Sequence, residues 1–380
     1  MKIAHVHHYF YPITGGLERA VQSLAEEQAK MGHEVHVITS RVGAEKRPKE
    51  EVVNEVYVHR VKALRLHFPD LTYPLEYAEK VIRDADIVHG HTQNSLFVVK
   101  LIGKAKELGI KTAIYFMAVD ALYDHPNYFV RLLGPFYTNH MLKEAIELSD
   151  IRLVRSLRDQ VILSKKYGVY AAFIPDGVPE RFISHRYGGE EFRRRYNINY
   201  DYVLYVGRLH PLKGIDVLIK AFHYVVESSI DLKLVVIGPG DPKPYKELTQ
   251  RLGVDKDVLF TGFVDDETKI DAIDGSLAVV VPSVCDYVEV YPMIISEAWA
   301  RGKPVVATRV GGIPYRVKHM LNGLLVPPKD PKALAEAIIM LAKNRELATR
   351  LGVEGKKEVM TWSEVAVQML NMYKVQGCEE

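Results

Sequence analysis

The feature that most constrains this chain is an alternation of short apolar runs with helical patterns, carried through twice. In the first half the runs fall at residues 3–8, 34–40, 56–61, 87–91, 112–117, 151–155 and 171–174. Helical patterns lie between most of them, such as 17–31 with its stop at Gly32 and 96–108 with its stop at Gly109. Strand, helix and strand in series predict a parallel, doubly wound sheet, and strands covered on both faces read as continuous apolar runs. The second half repeats the scheme after a polar, Arg-rich stretch at 184–200. Its runs fall at 202–206, 232–237, 258–261, 277–281, 304–307 and 324–326, and its helices at 215–227, 245–252, 266–273, 294–300 and 313–319. The expected fold class is α/β, with two Rossmann-like doubly wound parallel-sheet domains, 1–183 and 184–361, facing a cleft. Ligands of such sheets bind beyond the C-terminal ends of the strands.

Composition narrows the function. A length of 380 residues with 48% hydrophobic content suits two cores. A net charge of +2, without a basic stretch interleaved with aromatics, argues against nucleic acid. Two cysteines, Cys285 and Cys378, fit a reducing compartment and give neither a disulfide framework nor zinc spacing. The opening MKIAHVHHYF enters a strand pattern directly, with no signal peptide, so a soluble cytoplasmic protein is expected.

The motifs cluster at predicted strand ends. Glu289 and Glu297, with seven residues between them, flank a helix start, where unpaired N–H groups favour anions. Isolated glutamates are usually solvated. Glu297, however, sits among Ile294, Ile295, Ala298 and Trp299, and a buried carboxylate needs partners. Sugar or ribose hydroxyls would supply them. Arg208 and Lys213 occupy the turn after the run at 202–206, bracketed by Gly207 and Gly214, and two separated cations fit a diphosphate. Gly238 and Gly240 give only part of a G-x-G-x-x-G, because Lys243 holds the third position. Gly15 and Gly16 before the first helix could admit a phosphate, but a tight turn explains them equally. His7, His8, His89 and His91 fall on the ligand side, where polar lining of a cleft is the favoured reading over a metal site. Asp84 and Asp86 precede a strand and are taken as turn residues. The segment 127–145 could lie on a bilayer through Tyr128, Phe129, Leu132, Leu133, Phe136 and Tyr137, with Arg131 and Lys143. Core packing is favoured there, because Gly134 and Pro135 interrupt the pattern, and peripheral membrane contact is the minority alternative.

These segments together resemble the family-four retaining glycosyltransferases of GT-B fold, over nearly the whole chain. The resemblance is carried by FYPITGGLERAV, DIVHGH, IPDGVPERF, YVGRLHPLKGIDVLIKAF, VVIGPGD, VLFTGFV, the E-x7-E stretch, ARGKPVVATRVGGIP, NGLLVPPKD and WSEVAVQMLNMY. It implies that Arg208 and Lys213 neutralise a donor diphosphate, that Glu297 holds ribose hydroxyls and that Glu289 binds the transferred sugar. The Gly16 amide would approach the donor, the backbone near Phe263 and Val264 would meet the base, and the helix 362–380 would return to the first domain. Transfer with retained configuration needs no obligatory protein base, and no Mg²⁺ or other cofactor is expected. Two positions depart from the pattern. Met117 stands where many members carry histidine, so that His91 or Asp120 would assume part of that role. Pro292 stands where glycine is usual, leaving the amides of Met293 and Ile294 to serve a phosphate. A nucleotide-sugar epimerase of the same fold and a non-catalytic nucleotide-sugar-binding protein are the rival readings, and base, sugar, acceptor and oligomeric state stay open.

Overall fold

Eight strands form the first sheet in the computed structural model, which describes residues 1–13, 15–66, 71–125, 127–185, 188–286 and 289–374. Cys378 and the last residues of the expected helix 362–380 lie outside the described residues. In chain order the first elements are β1 (Lys2–Val6), α1 (Gly16–Lys30), β2 (Glu34–Ser40), β3 (Glu50–Val53), β4 (Val56–Val61), β5 (Ala63–Arg65), β6 (Thr72–Pro74), α2 (Glu79–Arg83), β7 (Ile87–Gly90), α3 (Leu96–Glu107), β8 (Lys111–Phe116), α4 (Tyr128–Leu148), β9 (Ile151–Val154), α5 (Leu157–Tyr167) and β10 (Ala172–Phe173). The sheet runs β10, β9, β8, β7, β1, β2, β4, β3, parallel except where β3 pairs antiparallel with β4 at the edge. β5 and β6 make a separate two-stranded hairpin.

The second series is α6 (Arg181–Ser184), α7 (Glu190–Arg195), β11 (Tyr202–Val206), α8 (Ile215–Glu227), β12 (Lys233–Ile237), α9 (Lys243–Arg251), β13 (Val258–Gly262), α10 (Asp266–Gly275), β14 (Ala278–Val281), α11 (Met293–Ala300), β15 (Val305–Thr308), α12 (Ile313–Arg316), β16 (Leu324–Val326), α13 (Pro331–Lys343) and α14 (Arg345–Lys356). Its six strands run β13, β12, β11, β14, β15, β16, all parallel. Strand order reverses between β11 and β14, and in the first sheet between β1 and β7. These reversals open the crevices that hold ligands in such sheets. Successive residues of β11 serve opposite cores: Val203 and Tyr205 pack with Leu218 and Phe222, and Leu204 packs with Val279 and Trp299. That two-sided burial is why the strands read as unbroken apolar runs.

The last helix, α15 (Trp362–Lys374), belongs with the first sheet. The two compact units are Met1–Gly177 with Met360–Glu380, and Val178–Val359. The sequence places the junctions slightly later, at 183/184 and 361/362. Val178 and Phe182 are fully buried in the core of the second unit, which moves the first junction back.

α4 corrects one expectation. It continues through Gly134 and Pro135, started by Asn127, whose side chain accepts from the N–H groups of Phe129 (2.9 Å) and Val130 (3.2 Å). Gly134 lies against Leu122, where a Cβ would come 2.7 Å from a side-chain carbon, so this glycine marks a close contact and not a helix stop. Core packing holds for Met141, Leu142 and Ala145 but fails for the first half. There Tyr128, Phe129, Leu132, Leu133 and Phe136 are between 53% and 75% exposed. Among the described residues no helix is long and apolar enough to cross a membrane.

Candidate functional site

In the second unit, β11 leads through Gly207 and Arg208 into a 3₁₀ turn, Pro211–Lys213, ahead of α8. The Tyr205 hydroxyl donates to the Arg208 carbonyl at 2.9 Å, and the Leu209 N–H to the Pro239 carbonyl at 2.8 Å. Arg208 thus has a fixed backbone and an exposed side chain. Gly238 makes this possible. Its φ is +146°, and a Cβ would stand 1.9 Å from the Gly207 carbonyl oxygen. The glycine is needed for packing, not for a dinucleotide fingerprint.

Lys213 reaches the loop after β14, where its Nζ lies 2.7 Å from Glu289 Oε1, and the Ser283 hydroxyl donates to the same oxygen. Glu289 is only 2% exposed, so its carboxylate needs both partners. Its backbone is fixed as well, since the Gly312 N–H donates to the Glu289 carbonyl at 2.7 Å. Two residues expected to meet different parts of a ligand are therefore joined here as one charge pair.

Glu297 lies within α11, a helix that starts at Met293 directly after Pro292. The first-turn N–H groups of Met293 and Ile294 have no intrahelical acceptor, as in any helix. Within the chain Glu297 has a partner that the sequence did not point to, Lys269 on α10, whose Nζ lies 2.7 Å from Glu297 Oε1 and 3.1 Å from Asp266. Burial lowers the Lys269 pKa, but Glu297 and Asp266 outweigh it and leave it above the ordinary value. Phe263, just past β13, is 68% exposed, and Val264 packs against the core.

In the first unit, Gly16 opens α1 with Gly15 as its extended N-cap. The Glu18 carboxylate folds back on that turn. Burial raises its pKa, yet His7 and the backbone N–H groups of Glu18 and Gly15 hold it below the usual range. Met117 follows β8, and its backbone is gripped on both sides by one amide. Its N–H donates to Gln93 Oε1 and its carbonyl accepts from Gln93 Nε2, each at 2.9 Å. Asp159, 1% exposed, accepts from the N–H groups of Val119 (2.9 Å) and Ala118 (3.2 Å). Burial pushes its carboxyl up to about 7. Asp120 is held by Lys166 at 2.9 Å and by the Tyr167 hydroxyl at 3.2 Å.

The histidines correct the reading as cleft lining. His7, His89 and His91 are 0% exposed and His8 is 6% exposed. His5 pairs with His89 across β1 and β7, so the alternate histidines of two neighbouring strands meet on one face. Ring nitrogens of His5, His89 and His91 lie within 4.8 Å of one another, the arrangement among the described residues that could hold a metal ion. Hydrogen bonds also order these rings. Arg155 can only donate, so His91 Nδ1 accepts from it at 3.2 Å and the His91 proton sits on Nε2. That Nε2 donates to His5 Nδ1 at 2.9 Å, and His5 Nε2 donates to Gln28 Oε1 at 2.7 Å. The cluster is a directed chain of neutral rings: burial holds His5 at about 4 and, with the Arg155 guanidinium adding to it, His91 well below its ordinary value.

Lys269, Gln93, Asp159 and Arg155 are the residues that motif reading missed. The available signals were the alternating histidines of β1 and β7 and the need of Glu297 for a partner.

Comparison with known proteins agrees with this architecture. Residues 14–182 match the family described as Glycosyltransferase Family 4, and residues 189–358 the family described as Glycosyl transferases group 1. An uncharacterised glycosyltransferase of Methanocaldococcus jannaschii is 30% identical over 99% of this chain and 98% of its own length. Sucrose-phosphate synthase from Thermosynechococcus elongatus superposes with a TM-score of 0.77 at 23% identity, covering 98% of both chains. HepE of Anabaena, solved in complex with UDP, gives 0.76 at 18% identity over 98% of this chain and 99% of that one. The chain therefore belongs to the group 1, family-four glycosyltransferases of GT-B fold and is a transferase enzyme.

Proposed function

We propose that the protein transfers a hexose from a nucleotide-diphosphate sugar to an acceptor hydroxyl on a glycan, lipid or small molecule, with retained anomeric configuration and without a metal. One observation carries this reading. At the ends of β11 and β14 the chain gathers an exposed Arg208, the Lys213–Glu289 pair and Glu297 on a helix whose N-cap, Pro292, makes no side-chain cap hydrogen bond. Arg208 and Lys213 supply the positive charge that a leaving diphosphate needs, and the amides of Met293 and Ile294 add donors for phosphate oxygens. Glu289 and Glu297 accept from sugar and ribose hydroxyls, while Gly16, Phe263 and Val264 provide backbone contacts to the donor. That HepE was solved with UDP supports a nucleotide donor.

In this reaction the acceptor O–H attacks the anomeric carbon as the bond from that carbon to the phosphate oxygen breaks. The acceptor proton passes to the departing phosphate on the same face, so no protein base is required. The loop at Met117, pinned by Gln93 and Asp159, presents the acceptor. His91 and Asp120 are engaged within the protein and act on that loop's surroundings, not as the base. The low cysteine content supports a cytoplasmic location.

Incubation with UDP-, GDP- and ADP-sugars, with and without EDTA, followed by product separation, tests the reading. Release of one nucleoside diphosphate, kept in EDTA and lost in Arg208→Ala, is expected. An isomerised nucleotide sugar without release would replace the proposal with an epimerase, and loss of release in EDTA would overturn metal independence.

A further inference from the structure

We propose that the first half of α4 is a docking face for an anionic lipid surface. The inference is independent of the donor chemistry. Tyr128, Phe129, Leu132, Leu133 and Phe136 stand at positions i, i+1, i+4, i+5 and i+8, one stripe of a helix, and every one is more than half exposed. Single exposed apolar residues are ordinary, but five in one row mark an interaction surface. The row is firmly mounted. Further along α4 the helix buries Met141, Leu142 and Ala145 in the first core, and Asn127 caps its start. The stripe thus stands out from a fixed support.

Charge selects the occupant. No acidic residue occurs between Asp124 and Glu144, while Arg131 and Lys143 are exposed, and His140 extends the stripe by one turn. A row of Tyr, Phe and Leu beside two cations matches the boundary of a bilayer carrying negative headgroups, where apolar side chains enter the acyl region and cations stay among phosphates. A bilayer, unlike a protein partner, needs no matching groove to receive an exposed row of this kind.

The test is flotation of the purified full chain with vesicles of phosphatidylcholine alone and with about 30% phosphatidylglycerol. The wild type is expected to float with the anionic vesicles. The F129S/L133S/F136S variant should lose roughly tenfold or more in partitioning, and R131E/K143E should lose the preference for anionic lipid. Because all five substituted side chains are exposed, both variants should keep the wild-type melting curve, which is recorded alongside. Failure of the wild type to float, or equal flotation of the triple variant, overturns the proposal. So does a concentration-dependent dimer in light scattering that the triple variant abolishes, since the face would then belong to a second copy of the chain.

Discussion

Replacing Lys269 with methionine leaves the carboxylates of Glu297 and Asp266 together without the ammonium that neutralises them. In the native protein Nζ stands 2.7 Å from one and 3.1 Å from the other, and the Lys269 and Glu297 side chains are each 12% exposed. Removing one partner of a buried pair costs about 3–5 kcal/mol. Because some solvent reaches this pair, the expected loss is about 2–3 kcal/mol. Glu297→Gln alone leaves Lys269 with Asp266 and should cost less. The double variant removes both charges, so its loss should fall short of the sum of the single losses by about 1–2 kcal/mol. Urea unfolding of the four proteins measures this cycle. Melting temperature with and without a nucleotide sugar separates stability from recognition. Lys269→Met should keep part of the ligand response, whereas Glu297→Gln and the double variant should lose it. Stabilities that add within about 0.5 kcal/mol would refute the coupling, and a full ligand response in Glu297→Gln would remove Glu297 from the binding site.

Three further outcomes are expected. His5 titrates at about 4 in the folded protein against 6.5 ordinarily, so the unfolded chain takes up the proton first as pH falls. Its contribution is complete above 6.5 and is lost on descending to 4, about 3 kcal/mol. The stability difference between wild type and His5→Gln should shrink by that amount over this window, and a difference constant with pH contradicts it. Gly238→Ala should lose about 2–4 kcal/mol in urea unfolding and weaken the nucleotide-sugar response, because the new Cβ displaces the Gly207–Arg208 turn. Asp159→Ala removes the acceptor for two amides and should cost about 1–3 kcal/mol. Steady-state kinetics should show the acceptor KM rising more than the donor KM, and equal changes would contradict a role in the acceptor loop.

The strands nearest the site were the most legible part of the chain. A run such as Ala278–Val281 is buried on both sides, and only apolar residues satisfy that position. β3, with the sequence EEVV at an exposed edge, carries no such demand and was missed. The same limit applies to the hairpin of β5 and β6. For α4, Gly134 and Pro135 read as a break because sequence cannot reveal Leu122 packed against that point. Arg208, Lys213, Glu289 and Glu297 were identifiable as a group because all follow strand ends. Their charge partners were not: Lys269 lies 28 residues from Glu297, on a helix with no motif of its own. The histidines show the opposite failure, with correct strand ends but side chains directed into the protein, which becomes evident only when His5 is set opposite His89.

α15 has a consequence for the order in which the protein is completed during synthesis. Its Trp362, Val365, Ala366, Met369, Leu370 and Tyr373 are buried, and the Tyr373 hydroxyl lies 2.5 Å from His89 Nδ1. These groups leave the ribosome after the whole of Val178–Val359. The second unit, one continuous stretch, can close its core as it emerges, while the earlier half of the chain waits with an apolar groove uncovered beside α1 and His89. A chain stalled before residue 362 would thus hold one finished domain and one exposed to proteases and chaperones, although the exposed one was translated first.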